Sequence, residues 1–366
     1  MKKIVKLLGI GALSLASILG VASCSKTETK TYKNGELKVS VLTGNIRVSI
    51  DILAEKLGYF EEEGLNFTPV NIGGNDALTA IEQNSNSLDV LTTGFVADLQ
   101  HIGQGADLTF IGGTAVEGGA IITYKGNSEK YKDSNTVINI EEFENAKFGL
   151  ARNEAAWVVT RQYLKENDPS FDDDIDSDSS SLVNYYADQQ STALAVSRHE
   201  VEIGYLPLEY AYLYQDSYGL EIIAEAGELQ SEYVCCREVT SKQKYEDKYD
   251  SFVAYEKARI RAWEYYSIES NQESVVNIVA NYSGKEADYV RTYLYGGVTK
   301  FSTDPNKKGI NAYKTAALNA GIIKSDIDLS SNISTGAYKE AIETLANNNK
   351  TNTFYQEKLA LFNAYN

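Results

Sequence analysis

Apolar and polar positions alternate along Leu37-Lys38-Val39-Ser40-Val41-Leu42, the period-two pattern of a strand with one buried face. The run stops at Thr43-Gly44-Asn45, and the spacing then changes. Val48, Ile52 and Glu55 fall in line beside Ile50, Leu53 and Leu57, which predicts a helix closed by Gly58. A strand over 67–72 leads through Gly73-Gly74-Asn75-Asp76 into a helix over 77–83. A short strand over 88–91 ends in Thr92-Thr93-Gly94, and a helix over 96–102 and a strand over 108–111 follow. Strands alternating with helices predict α/β architecture, a mainly parallel sheet with helices on both faces.

The middle of the chain repeats the theme. Strands are predicted over 120–124, 147–151, 182–186, 201–206 and 220–224, with helices over 155–165, 189–197 and 208–215. Residues 128–135 read as a polar loop. The run Asp168 to Ser181 holds six aspartates and reads as a solvated loop, since it lacks the glycine and terminal glutamate of a calcium loop. Tyr233 to Val239 reads as a strand that sends Cys235 and Cys236 to opposite faces. A strained vicinal disulfide or a redox role is the sharper reading of that pair, but no Cys-x-x-Cys spacing supports it. Beyond Lys248 the pattern is helical alone, over 249–267, 309–319, 336–346 and 353–364, with Ser283-Gly284-Lys285-Glu286 reading as the capping box of another helix.

The first residues change the picture. Met1-Lys2-Lys3 is followed by an apolar stretch of 16 residues from Leu7 to Ala22, shorter than the roughly 20 that span a bilayer. A basic start, an apolar core and small residues before a cut are the layout of a secretory signal. Val21-Ala22-Ser23-Cys24 resembles the lipobox of bacterial lipoproteins. The resemblance implies a signal peptide over 1–23, an acylated Cys24, and a flexible tether over 24–36. The product would be anchored by lipid on the extracytoplasmic face of the cell membrane. Net charge is −17, and losing Lys2, Lys3 and Lys6 with the signal takes it to −20. Such acidity repels nucleic acid and anionic lipid, so the lipid itself must do the anchoring. Only two histidines exist, His101 and His199, and hydrolase, zinc, phosphate-loop and dinucleotide motifs are missing. Neither a cofactor nor a metal is expected, and the body is expected to be a monomer.

A longer constellation points to a function. Ala54-Glu55-Lys56-Leu57-Gly58-Tyr59-Phe60-Glu61-Glu62-Glu63-Gly64-Leu65 resembles the opening segment of the nitrate/sulfonate/taurine-type solute-binding proteins of ABC transporters, a family that includes binders of thiamine-precursor pyrimidines. The likeness continues through Gly73 to Leu78, Ala193 to Val196, Val201 to Pro207, and Tyr313 to Asp328. His199-Glu200 departs from it, standing where a glycine is usual. The resemblance implies a two-lobed periplasmic-binding-protein-like clamp of type II. One lobe would comprise 37–122 and 227–366, the other 123–226. Such a clamp closes on a small solute and delivers it to a permease and its ATPase. The alternatives are an enzyme like the family's thiamine-pyrimidine synthases and a surface adhesin on the same scaffold.

In open α/β sheets ligands lie beyond the carboxyl ends of strands, where helix N-termini offer free N–H groups. The candidate site residues are chosen on that rule. Thr43, Gly44, Asn45 and Arg47 follow the first strand; a cation there opposes the helix dipole, which points to an anionic ligand or to a pair with Asp51. Thr92, Thr93, Gly94 and Phe95 offer hydroxyls, a close approach and a ring, unless Thr93 merely caps its helix. Gly118 and Gly119, after Glu117, allow a ligand near the backbone or make a turn. Asn153, Glu154 and Ala155 open a helix, and Glu154 argues against a plain sulfonate or nitrate. Tyr205 before Pro207 either stacks on a flat ligand or is a buried strand residue. Together these favour a carboxylated or amino-substituted heteroaromatic solute.

Overall fold

The computed structural model describes residues 31–116, 118–152, 154–171 and 182–366. The signal, Cys24, Glu117, Asn153 and most of the acidic run therefore lie outside the described residues. In chain order the strands are β1 (Glu36–Ser40), β2 (Asn66–Val70), β3 (Leu91–Gly94), β4 (Leu108–Gly113), β5 (Gly119–Tyr124), β6 (Lys132–Asp133), β7 (Val137–Ile138), β8 (Phe148–Ala151), β9 (Val183–Tyr186), β10 (Ile203–Pro207), β11 (Leu220–Glu225) and β12 (Cys236–Ser241).

Two layers of sheet result. In the first, β1 and β2 pair in parallel, Val39 bridges in parallel to Val90, and β12 lies antiparallel between β3 and β4. The second has the order β11-β5-β10-β8-β9, parallel through β10, β8 and β9. The pairs of β5 with β10 and β11 are antiparallel. The parallel pairs are those joined through helices. The antiparallel ones involve β5 and β12, the strands that carry the chain from one sheet to the other and back.

Helices cover both layers. Ser49–Lys56 buries Ile50, Ile52 and Leu53, the stripe that its spacing announced. The long Tyr249–Ser267 helix buries Phe252, Tyr255, Ala258, Arg259 and Trp263 and packs against Ser49–Lys56. Three local readings are corrected. The polar stretch 128–135 forms a helical turn, Ser128–Tyr131, and one arm of the small β6–β7 hairpin, because Asp133 accepts from the N–H groups of Asn135 and Thr136. Ser283 closes the helix Gln272–Ser283 instead of opening the next, whose N-cap is Glu286. The last strand begins at Cys236, so Cys235 falls outside its alternation.

A charged cluster sits inside the first layer. Arg259 is fully buried and lies 3.1 Å from Asp51, bonds Glu238, lies 3.1 Å from Glu256, and donates to the Gly113 carbonyl at 2.7 Å. Tyr255 Oη lies 2.6 Å from Asp51 and 2.7 Å from Glu238. One hydroxyl proton cannot serve two carboxylates, so one carboxyl must keep its own proton. Burial pushes Glu238 and Glu256 above the usual carboxylate range despite the charge of Arg259. Removing one partner of a buried charged cluster strands the rest. Arg259→Met should therefore destabilise the protein by about 3–5 kcal/mol in urea titration. A loss under about 1 kcal/mol would show that the cluster is dispensable.

Candidate ligand-binding cleft

The segments that follow β1, β8 and β10 come together: Arg47 pairs with Glu209 and acts on the charge of Glu154. Beyond β1 the loop turns at Gly44, where Asn45 N–H donates to Leu42 and Asn45 Oδ1 accepts from Arg47 N–H at 2.9 Å. That turn aims Arg47 across the gap to the second sheet. Its Nη2 meets Glu209 Oε1 at 2.9 Å, in the first turn of the helix Leu208–Tyr218. Burial would lower the guanidinium, but the charge of Glu209 together with the nearby Cys236, Tyr293 and Cys235 side chains holds Arg47 raised. Asp51, the sequence-suggested partner, is turned inward to Arg259 instead.

A cavity of about 380 Å³ opens at this junction, lined by the backbone from Thr43 to Ile46 and by Arg47, Glu209, Tyr210 and Tyr289, with Lys285 beside them. Its rim carries Leu42 from one side and Leu213 from the other, 39% and 51% exposed. Glu154 stands at the N-cap of the helix Ala155–Asn167, close enough to Arg47 to feel its charge. Removal from water pushes its carboxyl up to about 7, against Arg47 and the N–H groups of Ala156 and Ala155.

Thr43, Gly44, Asn45 and Arg47 thus line the cavity, and Glu154 lies within reach of the Arg47 charge. Other expected residues are placed elsewhere. Phe95 is 1% exposed and packs on Phe110 and Tyr313, with ring centroids 4.9 and 5.3 Å apart. Tyr205 is fully buried against Trp157 and Phe148. Both rings are core, which corrects their reading as stacking platforms. Their aromatic partners lie on other elements of the chain. Thr93 caps no helix: Gly94 holds the N-cap position, and Phe95 N–H donates to the Cys235 carbonyl. Thr92 Oγ1 is buried without a hydrogen bond, and Thr93 pairs across the sheet with Arg237. Gly119 lacks a side chain because a Cβ would lie 2.8 Å from that of Ala156, so it serves helix packing and not ligand approach. The Ala155 carbonyl accepts from Tyr313 Oη at 3.3 Å, and Pro207 is the N-cap of the helix that carries Glu209.

Glu209, Tyr210, Leu213, Lys285 and Tyr289 were not selected from sequence. An acid two residues after Pro207, at a helix start, was the one available signal. Cys235 and Cys236 are also corrected: their sulfurs do not diverge but converge to 3.4 Å. The two histidines lie elsewhere, His101 on Glu82 and His199 against Tyr124. Among the described residues no helix is long and apolar enough to cross a membrane, and no group of three or more His, Cys, Asp or Glu is arranged to hold a metal.

This arrangement of two helix-covered sheets with a cleft at their strand ends is the fold of the periplasmic solute-binding proteins of ABC import systems. A ligand-binding component of such a system from Staphylococcus aureus, solved with zinc bound, superposes with a TM-score of 0.61 at 13% identity, covering 84% of this chain and 99% of that one. The nitrate-binding protein of Synechocystis PCC 6803 gives 0.63 at 11%, covering 85% and 89%. The aliphatic sulphonate-binding protein of Escherichia coli gives 0.59 at 14%, covering 82% and 92%. No protein-family model matches the sequence, and no curated protein does.

Two expectations follow from the geometry. The Tyr205 hydroxyl is buried with no well-formed hydrogen bond, the Thr160 hydroxyl being its polar neighbour, and an under-satisfied buried polar group costs up to about 1–3 kcal/mol. Tyr205→Phe should therefore hold or raise the melting temperature, and a fall of several degrees would contradict this placement. The raised Glu154 gives the folded state more bound protons than the unfolded chain between pH 4.5 and about 7. Stability from its neutral form is complete below that window and lost as pH rises through it. Relative to the parent, Glu154→Gln should therefore gain melting temperature from pH 5 to pH 8, and a constant difference would contradict the shift.

Proposed function

We propose that this chain is the lipid-anchored solute-binding component of an ABC importer, exported and held at the membrane through Cys24. Residues 37–122 and 227–366 would form one lobe and 123–226 the other. The observation that carries the reading is the Arg47–Glu209 pair beside a solvent-open cavity, with Glu154 within reach of the Arg47 charge. A permease and its ATPase are the implied partners.

The Arg47–Glu209 pair serves as the latch of this clamp. On the far side, Arg161 Nη1 donates to the Ala320 carbonyl at 2.9 Å, and Tyr313 packs between Phe95 and Ala155. The tail helix Lys307–Asn319 thus ties to the helix Ala155–Asn167, and opening falls on the Arg47 side. A solute with an anionic group takes Arg47 from Glu209, and a donor group on it meets the freed carboxylate or Glu154. With Phe95 and Tyr205 in the core, any flat portion lies against Tyr210 or Tyr289.

Calorimetry against small carboxylated and amino-substituted heteroaromatics tests the reading. Arg47→Ala should weaken the best binder by about 1.5–3 kcal/mol, the scale of a charged hydrogen bond. Unchanged affinity would remove Arg47 from the site. Tight binding of taurine or nitrate would overturn the solute class and leave the transport class intact. Small-angle scattering should show compaction on saturation, since closure is a rigid-body motion.

A further inference from the structure

Cys235 and Cys236 are the cluster that the proposed function leaves unused. Side chains of consecutive strand residues point to opposite faces, yet these two sulfurs lie 3.4 Å apart. The reason is local. Cys235 precedes β12, its carbonyl accepts from Phe95 N–H at 3.2 Å, and Cys236 N–H donates to the Ala115 carbonyl at 3.1 Å. Clamped from both sides, the peptide holds both thiols toward one place. The neighbouring Gly118 fits this arrangement, because any Cβ there would strike Cys235 Sγ.

Adjacent α-carbons are about 3.8 Å apart, nearer than the roughly 4.4–6.8 Å of relaxed disulfides. Closing the pair on itself strains the chain, whereas inserting one atom between the sulfurs does not. We propose that Cys235 and Cys236 form a chelating dithiol site for a neutral trivalent metalloid hydroxide, with arsenic(III) as its type. Two features select that class. Arg237, fully buried, donates Nη1 to the Cys236 carbonyl at 2.9 Å, and the charges of Arg47 and Arg237 at the Cys236 thiol each exceed the opposing charge of Glu209, which disfavours a free cation. A trivalent metalloid is satisfied by two sulfurs and its own hydroxide, so two thiols 3.4 Å apart suffice to hold it. In the reaction As(OH)3 and two thiols give a dithiolate As–OH and two waters. Two As–O and two S–H bonds break, two As–S bonds form, and no electrons are transferred. The site does not depend on the transport reading.

The test uses the full chain carrying Cys24→Ser, so that only these two thiols remain, with sodium arsenite as the probe. Native mass spectrometry should show one arsenic per protein with loss of both thiols to Ellman's reagent, reversed by a competing dithiol. Cys235→Ser and Cys236→Ser should each weaken binding by roughly 10²- to 10⁴-fold, the advantage of an intramolecular second bond. Melting curves establish that both variants fold. Equal affinity in parent and single variants would overturn the proposal. So would zinc binding as tight as arsenite, or thiol loss with removal of two hydrogens and no arsenic.

Discussion

Arg259 holds together the part of the molecule on which the cleft is built. From one buried guanidinium it reaches the helix Ser49–Lys56 through Asp51, β12 through Glu238, its own helix through Glu256, and the end of β4 through the Gly113 carbonyl. A single cation among three carboxyls is stable in a core only if protons make up the balance. The shared Tyr255 hydroxyl and the raised Glu238 and Glu256 meet that requirement. The cluster therefore fixes the relative placement of a helix, the returning strand and the end of another strand.

Arg47 and the cysteine pair both hang from these fixed elements. Arg47 precedes the helix that carries Asp51, and Cys236 lies two residues before Glu238 on β12. Electrostatics then couples them, because Arg47 acts on Glu209, Glu154 and Cys236 together. The cation is satisfied by an acid from the opposite sheet. On the proposed reading, an anionic solute would have to replace that bond, which would favour solutes that offer the displaced carboxylate something in return.

Much of the fold was legible in the sequence. The helix Tyr249–Ser267 has the predicted bounds, and Gln189–Ser197 does too, because each keeps a regular pattern along its length. The helix Gln272–Ser283 was not foreseen. Its buried face is Val275, Val276 and Val279, and β-branched residues weaken the helical signal that packing later overrides. The strand expected from Tyr233 begins only at Cys236, so period-two alternation does not reach Cys235.

The cleft was legible only in part. An arginine at a helix start is unusual enough to notice, so Arg47 could be singled out by electrostatics alone. Its partner Glu209 stands 162 positions away, and no local pattern joins them. Phe95 and Tyr205 offered rings at the right places in the chain, but whether a ring faces solvent or core depends on Phe110, Tyr313, Trp157 and Phe148. The sequence by itself determined the alternation of strands and helices and the chemistry at the strand ends, since hydrophobic period and helix-end electrostatics are local. Only the tertiary structure decided which charges meet, which rings are buried and that two adjacent thiols converge, since each depends on contacts between segments far apart in the chain.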